Sequence, residues 1–292
     1  MFDLRYHVAS LAAVFVALLV GILVGVGLSG KVDDAEKNEL RRRVADVNRQ
    51  LEAVGEREAS AGRVEDANTA VIELGLSALL EDRLRGRRVG LLFVGSPDRD
   101  LQSTVRTTLE DAGARGGLTR MRALNVPIDS GQLDGDLASH PALAGYRGPD
   151  RLRELGRLLA QEFAFGGGAP AWDALSEHLV VERRGRARPR LQGVVVARSA
   201  GPQKGDTARF LAGVYEGLAS TGTPAVGVER STDETSAVNA FERADLSSVD
   251  DIELPAGRLA LALLLAGAEP GHYGVKDADD VLPPIGQLGA GG

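Results

Sequence analysis

The sequence predicts an α/β fold carried behind an N-terminal transmembrane helix and a coiled-coil stalk. Three patterns predict it: an uncharged run from Val8 to Leu28, a proline-free stretch from Lys31 to about Gly86 rich in Glu, Arg, Ala and Leu, and, from Arg88 onward, short apolar runs alternating with helical stretches. They divide the chain into an anchor (1–30), a helical stalk (31–86), an α/β domain (87–267) and an irregular C-terminal tail (268–292).

The first run, VASLAAVFVALLVGILVGVGL, holds 21 residues without a charge. At about 1.5 Å per residue it just spans a hydrocarbon core of about 30 Å. A cleaved secretory signal has a shorter apolar core, roughly 7–15 residues, and a small-x-small cleavage site that Leu28-Ser29-Gly30-Lys31 matches poorly. An uncleaved single span is therefore expected. Its small residues Ala9, Ala13, Ala17, Gly21, Gly25 and Ser29 recur every fourth position. In lipid, close backbone approach through such a ladder is what favours helix pairing, so Ala13, Ala17, Gly21 and Gly25 are the expected dimer contacts. Gly25-Val-Gly-Leu-Ser-Gly30 also spells G-x-G-x-x-G. With no strand before it and no phosphate-facing helix after it, it is not a dinucleotide site.

The stalk follows from heptad spacing. Leu40, Val44, Val47, Leu51 and Val54 are spaced four, three, four, three, an a/d seam that predicts a homodimeric coiled coil. The register breaks at Gly55 and Glu58 and resumes at Val64, Ala67, Val71 and Leu74, a shift of three residues. The alternative is one amphipathic helix folding back on the globular domain.

Beyond Arg88, Val89–Val94 reads as a buried strand, then a loop at Gly95–Asp98, a helix over Leu101–Ala112, and a second strand over Leu118–Val126. Asp129–Asp150, rich in Gly, Asp and Pro, reads as loop. Leu152–Phe165 is an amphipathic helix stopped by Gly166-Gly-Gly168, and Ala171–Val181 a further helix. Leu191–Ala197 is a strand, Asp206–Ser220 a helix and Ala225–Val228 a short strand. Leu259–Leu265 is apolar but too short to span a membrane, hence a buried helix. Strands apolar on both faces, alternating with helices, call for a mostly parallel sheet covered on both sides.

The formal net charge of −7 argues against nucleic acid as a general partner. The absence of cysteine removes disulfides, thiolate metal sites and cysteine nucleophiles together. The four histidines, His7, His140, His178 and His272, are far apart in sequence, and Met121 is the only methionine besides Met1, so neither a metal site nor a cofactor is expected. No Ser/His/Asp grouping or paired carboxylates stand out, and no enzyme is predicted. Ligands in open parallel sheets sit beyond the carboxyl ends of the strands. Those positions carry Ser96, Asp98, Ser199, Lys204, Asp206, Glu229 and Arg230, which could form a small anion pocket or simply cap helices, as Asp98 and Asp206 would at N-caps. The run Arg183, Arg184, Arg186, Arg188 and Arg190 reads as a solvated loop, or as a contact for an anionic polymer or head group.

The opening Leu4–Phe15, the Gly-rich end of the apolar run, Ser248-Val-Asp-Asp-Ile-Glu-Leu-Pro-Ala-Gly257 and Gly271-His-Tyr-Gly-Val275 resemble the MctB-type copper transport protein family of actinobacteria, end to end. The resemblance implies an envelope protein involved in copper efflux and resistance, with its α/β domain outside the cytoplasmic membrane. Positive-inside counting opposes that placement, because only Arg5 precedes the span while Lys31, Lys37 and Arg41–Arg43 follow it. Long domains translocate largely regardless of such charges, so the orientation implied by the family is kept. One helical span is not an outer-membrane β-barrel, and soft copper ligands are nearly lacking, so any copper role is expected to be indirect, with an envelope protein as possible partner. The alternative is a dimeric envelope scaffold or regulator of wall assembly or division.

Overall fold

The structure is a computed structural model that describes residues 4–28, 41–50, 70–141, 143–185, 188–198, 201–278 and 280–284. It divides into two compact units, Met1–Thr69 and Ala70–Gly292. In the first, α1 (Leu4–Leu28) is a continuous helix of 25 residues, and residues 41–50 are helical. Side chains of α1 are described only over 11–24. Among the described residues, no helix is long and apolar enough to cross a membrane.

The second unit is built on seven strands in the order β3-β2-β1-β4-β5-β6-β7. These are β1 (Val89–Val94), β2 (Leu118–Leu124), β3 (Val180–Gly185), β4 (Gly193–Arg198), β5 (Ala225–Val228), β6 (Ser247–Val249) and β7 (His272–Tyr273). Every neighbouring pair is parallel except β2–β3. The helices are α2 (Arg99–Asp111), α3 (Ser130–Ser139), α4 (Arg151–Phe165), α5 (Pro170–Ala174), α6 (Ser176–Leu179), α7 (Gly205–Ala219), α8 (Val238–Glu242) and α9 (Pro255–Ala266). All six residues of β1 are buried, as a central strand covered on both faces requires.

Alternation along the strands sends side chains into two cores. Leu92, Val94, Leu124, Val194 and Val196 meet α3 to α8 on one face. Val89, Leu91, Phe93, Val195 and Val226 meet α2, α9 and Leu76, Leu80 and Leu84 on the other. Those three leucines lie on or just after the helical segment 70–80, so this end of the stretch expected to be stalk is core of the α/β unit. Val71 and Leu74 of the second seam are 69% and 73% exposed and take no part in that core.

Helices α4 and α7 cross with their backbones nearly touching. Gly156 and Ala160 on one face Gly213 and Gly217 on the other, and a methyl group at Gly213 would overlap the Arg153 carbonyl. Arg153 and Arg157 of α4 converge on Glu216 of α7, with Nε to Oε2 at 2.9 Å and Nη2 to Oε2 at 2.7 Å.

Several sequence expectations are corrected. The stretch 129–150 is not all loop, because Asp129 accepts from Gly131 N (2.9 Å) and Gln132 N (3.1 Å) and starts α3. Ala171–Val181 is two short helices followed by strand. Thus Arg183 and Arg184 lie on edge strand β3 rather than in a solvated loop. The tail supplies β7, which pairs with β6. Asp206 is not the cap of α7; Lys204 holds that position without a side-chain bond, and Asp206 lies in the first turn.

Candidate functional site

Polar residues gather at the carboxyl ends of β1, β5 and β6. Asp98, just after β1, caps α2 by accepting from Leu101 N at 2.8 Å and pairs with Arg230, which follows β5. Burial alone would push its carboxyl up, but the Leu101 amide and the Arg230 guanidinium outweigh it and hold the group below the usual carboxylate range. Glu229 is buried at 1% exposure. Its Oε2 accepts from Ala237 N at 2.7 Å, and Lys276 Nζ lies 3.6 Å from its Oε1, an ion-pair distance longer than a hydrogen bond.

The pair after β6 divides its work. Asp250 accepts from Val275 N (2.9 Å), Lys276 N (3.2 Å) and Asp277 N (2.6 Å), fastening the turn that leaves β7. Gly274 enters that turn at φ +142°, and any side chain there would collide with the Asp250 carboxylate. Asp251 is fully buried against the first turn of α9, and neither of its oxygens has a partner among the described residues. Burial, then repulsion from Asp250 and Glu253, pushes its carboxyl up to about 6. Glu253 in turn accepts from Ser231 N at 3.1 Å. Asp250 and Glu253 thus hold loops beside the strand ends, while Asp251 holds none. Among the described residues, no group of three or more His, Cys, Asp or Glu is placed to hold a metal ion.

Of the predicted anion-pocket residues, the structure brings together Asp98 and Arg230, and sets Glu229 on Lys276 instead. Lys204 and Asp206 open α7. Ser199 lies outside the described residues.

Within α1, Ala13, Ala17 and Gly21 are exposed, and nothing lies within 4 Å of a Cβ built on Gly21. Gly25 is helical, with its surroundings outside the description. Val44 and Val47 are the only residues of 41–50 that are not fully exposed; Leu40, Leu51 and Val54 lie outside the described residues.

The histidines serve local bonds. His178 Nδ1 is 2.8 Å from Asp136 Oδ2, which holds its imidazole above the usual range. His272 Nδ1 is 2.9 Å from Ser248 Oγ, and His140 Nδ1 is 3.1 Å from Ser139 Oγ. The side chain of His7 is not among those described. Met121 is 3% exposed, inside the core under α2 and α9.

Sequence reasoning missed two buried arginines. Arg120 and Arg122 alternate with Met121 and Ala123 on β2 and point under α4 and α5. Arg120 donates to the carbonyls of Phe163 and Pro189 and stacks 5.7 Å from the Phe163 ring centroid. Arg122 donates to the carbonyls of Met121 (2.6 Å) and Arg184 (2.8 Å). Burial, then repulsion from Arg183, pushes it down to about 10. Of the exposed basic run, Arg183 pairs with Asp173, Arg184 with Glu182, and Arg190 stacks 4.8 Å over Phe165.

Against known proteins, residues 1–284 match the family described as "Copper transport outer membrane protein, MctB". Proteins named "Copper transporter MctB" from Mycobacterium bovis and Mycobacterium tuberculosis are each 26% identical over 324 aligned positions, spanning 94% of this chain and 96% of the relative.

Proposed function

Because the chain belongs to the MctB family, we propose that it serves copper efflux and homeostasis as a single-pass envelope protein whose α/β unit lies outside the cytoplasmic membrane. The observation that carries this reading is the end-to-end match to copper transporters. The anchor rests on the sequence, in which Val8–Leu28 runs 21 residues without a charge, enough at about 1.5 Å per residue for a hydrocarbon core of about 30 Å. The seven-stranded sheet is open, with β3 and β7 at its edges and helices on both faces, an architecture unlike a membrane barrel.

Its part in copper handling is indirect and involves no catalysis. Copper(I) takes soft thiolate and thioether ligands, and this chain has no cysteine and has committed Met121 to its core. Deleting the gene is expected to raise copper sensitivity, restored by the full chain and equally by a variant carrying Met121→Leu. A normal copper response with a septation or wall defect would overturn the copper role and favour the scaffold reading. That alternative rests on edge strand β3, which among the described residues pairs only with β2 and leaves Val181 50% exposed for another chain to meet. A reporter active only in the cytoplasm, fused after Gly292, is expected to be silent, and strong activity would overturn the orientation.

We further propose a homodimer joined at the span and the stalk. In detergent, Gly21→Ile with Gly25→Ile blocks close approach of α1, while Val47→Asp with Leu51→Asp places charge in the heptad seam. Sedimentation of the full chain is expected to show weakened dimers for each pair and monomer for all four together. A wild-type chain already monomeric at tens of micromolar, a range that still detects weak association, would refute the dimer.

A further inference from the structure

We propose that the cavity between α7 and α8, at the carboxyl end of β4, is a binding site for a small organic carboxylate. Strand β4 ends here with Arg198, and the helices that follow β4 and β5, α7 and α8, lie on the same face of the sheet and flank the opening. The cavity measures about 180 Å³. That is the bulk of roughly six water molecules at about 30 Å³ each, enough for a short dicarboxylate.

Its lining suits an anion with an apolar body. Arg198 follows Val194 and Val196 on the face of β4 that α7 covers, and its Nη2 donates to Thr235 O at 3.1 Å. Arg243, just past α8, stands at the other side. Among the described residues neither guanidinium is paired with a carboxylate. Glu216 also borders the cavity, but its charge is taken up by Arg153 and Arg157. The local field is therefore positive in a chain whose net charge is −7.

Tyr215 is the second, independent sign. It is 3% exposed, lines the cavity, and its hydroxyl has no hydrogen-bond partner among the described residues. Its ring is held by Phe241 with centroids 5.1 Å apart. The ring is buried while the hydroxyl opens to the cavity, where it can donate to what enters. Burial pushes the phenol up to about 12, so it remains a neutral donor at physiological pH. The two arginines supply charge-assisted bonds, Tyr215 adds a directed donor, and Leu211, Ala212 and Ala240 provide the apolar wall.

The test uses the full chain in detergent, titrated in a calorimeter with succinate, neutral succinamide or inorganic phosphate. Saturable succinate binding is expected, with no heat from succinamide. Arg198→Gln and Arg243→Gln should each weaken it about tenfold or more, the effect of losing one charge-assisted bond. Tyr215→Phe should weaken it several-fold. Because an arginine variant could lose binding by misfolding, Ala212→Leu is measured beside it. That change fills the cavity without altering charge and should abolish binding while the melting profile stays that of wild type. No succinate heat up to about 10 mM, a limit well beyond ordinary small-ligand affinity, would overturn the proposal. So would equal binding by wild type and both arginine variants, or phosphate binding as tightly as succinate.

Discussion

Gly213→Ala is expected to destabilise the α/β unit by about 3 kcal/mol or more, lowering its melting temperature by roughly 6–12 °C at the usual scaling for a domain of this size. In an exposed helix the same change stabilises by about 1 kcal/mol, because alanine is the better helix former. Here the added methyl meets the Arg153 backbone across the α4–α7 crossing, and backbone on both sides leaves no flexible side chain to give way. Gly135→Ala supplies the contrast. Gly135 is also helical, in α3, but nothing lies within 4 Å of a Cβ built there, so that variant should be slightly more stable than wild type. Opposite signs in parallel thermal melts are the expected result. A Gly213 variant as stable as wild type would show that the two helices can part without loss.

Asp251→Asn is expected to stabilise the protein at neutral pH by about 2–3 kcal/mol and to do nearly nothing at pH 4. The carboxyl rises from 3.8 to about 6 on folding, and each unit corresponds to about 1.4 kcal/mol. The sign follows from linkage. Below the unfolded value both states hold the proton and Asp251 carries no penalty. As pH rises through the folded value, the native state must bury a charge that the unfolded chain leaves in water, and stability falls. Chemical denaturation of both proteins between pH 4 and 8 measures this, and parallel curves would show that the carboxylate is solvated in the native state.

The central strands were legible because they are apolar on both faces. Val89–Val94 and Ala225–Val228 were bounded to the residue, and the long helices to within a few residues. The edges were not. Strand β6 has three residues and β7 two, too short for any periodicity, and both stand because Asp250 and the β6–β7 pairing hold the chain there. Arginine on β2 reads as surface, yet Arg120 and Arg122 are buried because carbonyls from α4 and β3 satisfy them, a tertiary fact with no local trace. Asp98 was found as a cap since side-chain capping is local, whereas Asp206 misled because the helix starts two residues earlier, with Lys204 at the cap position. The cavity between α7 and α8 draws on three separate elements. Its anchor, Arg198, ends β4 one residue beyond the strand Leu191–Ala197 expected from sequence.

The register of the sheet's middle pair sets the order in which the molecule can be assembled. Val89 lies beside Gly193, so the first strand synthesised waits for one about a hundred residues later. Closing such a loop costs about 4 kcal/mol of chain entropy before any contact offsets it. Local hairpins that could fold early are missing from this topology, and high contact order makes the search slow. During that interval VGLLFV, wholly apolar and unpaired on its β4 side, is the segment most exposed to association with other nascent chains. Yield on overexpression should therefore depend more on how fast β4 is delivered and docked than on the final stability of the native sheet.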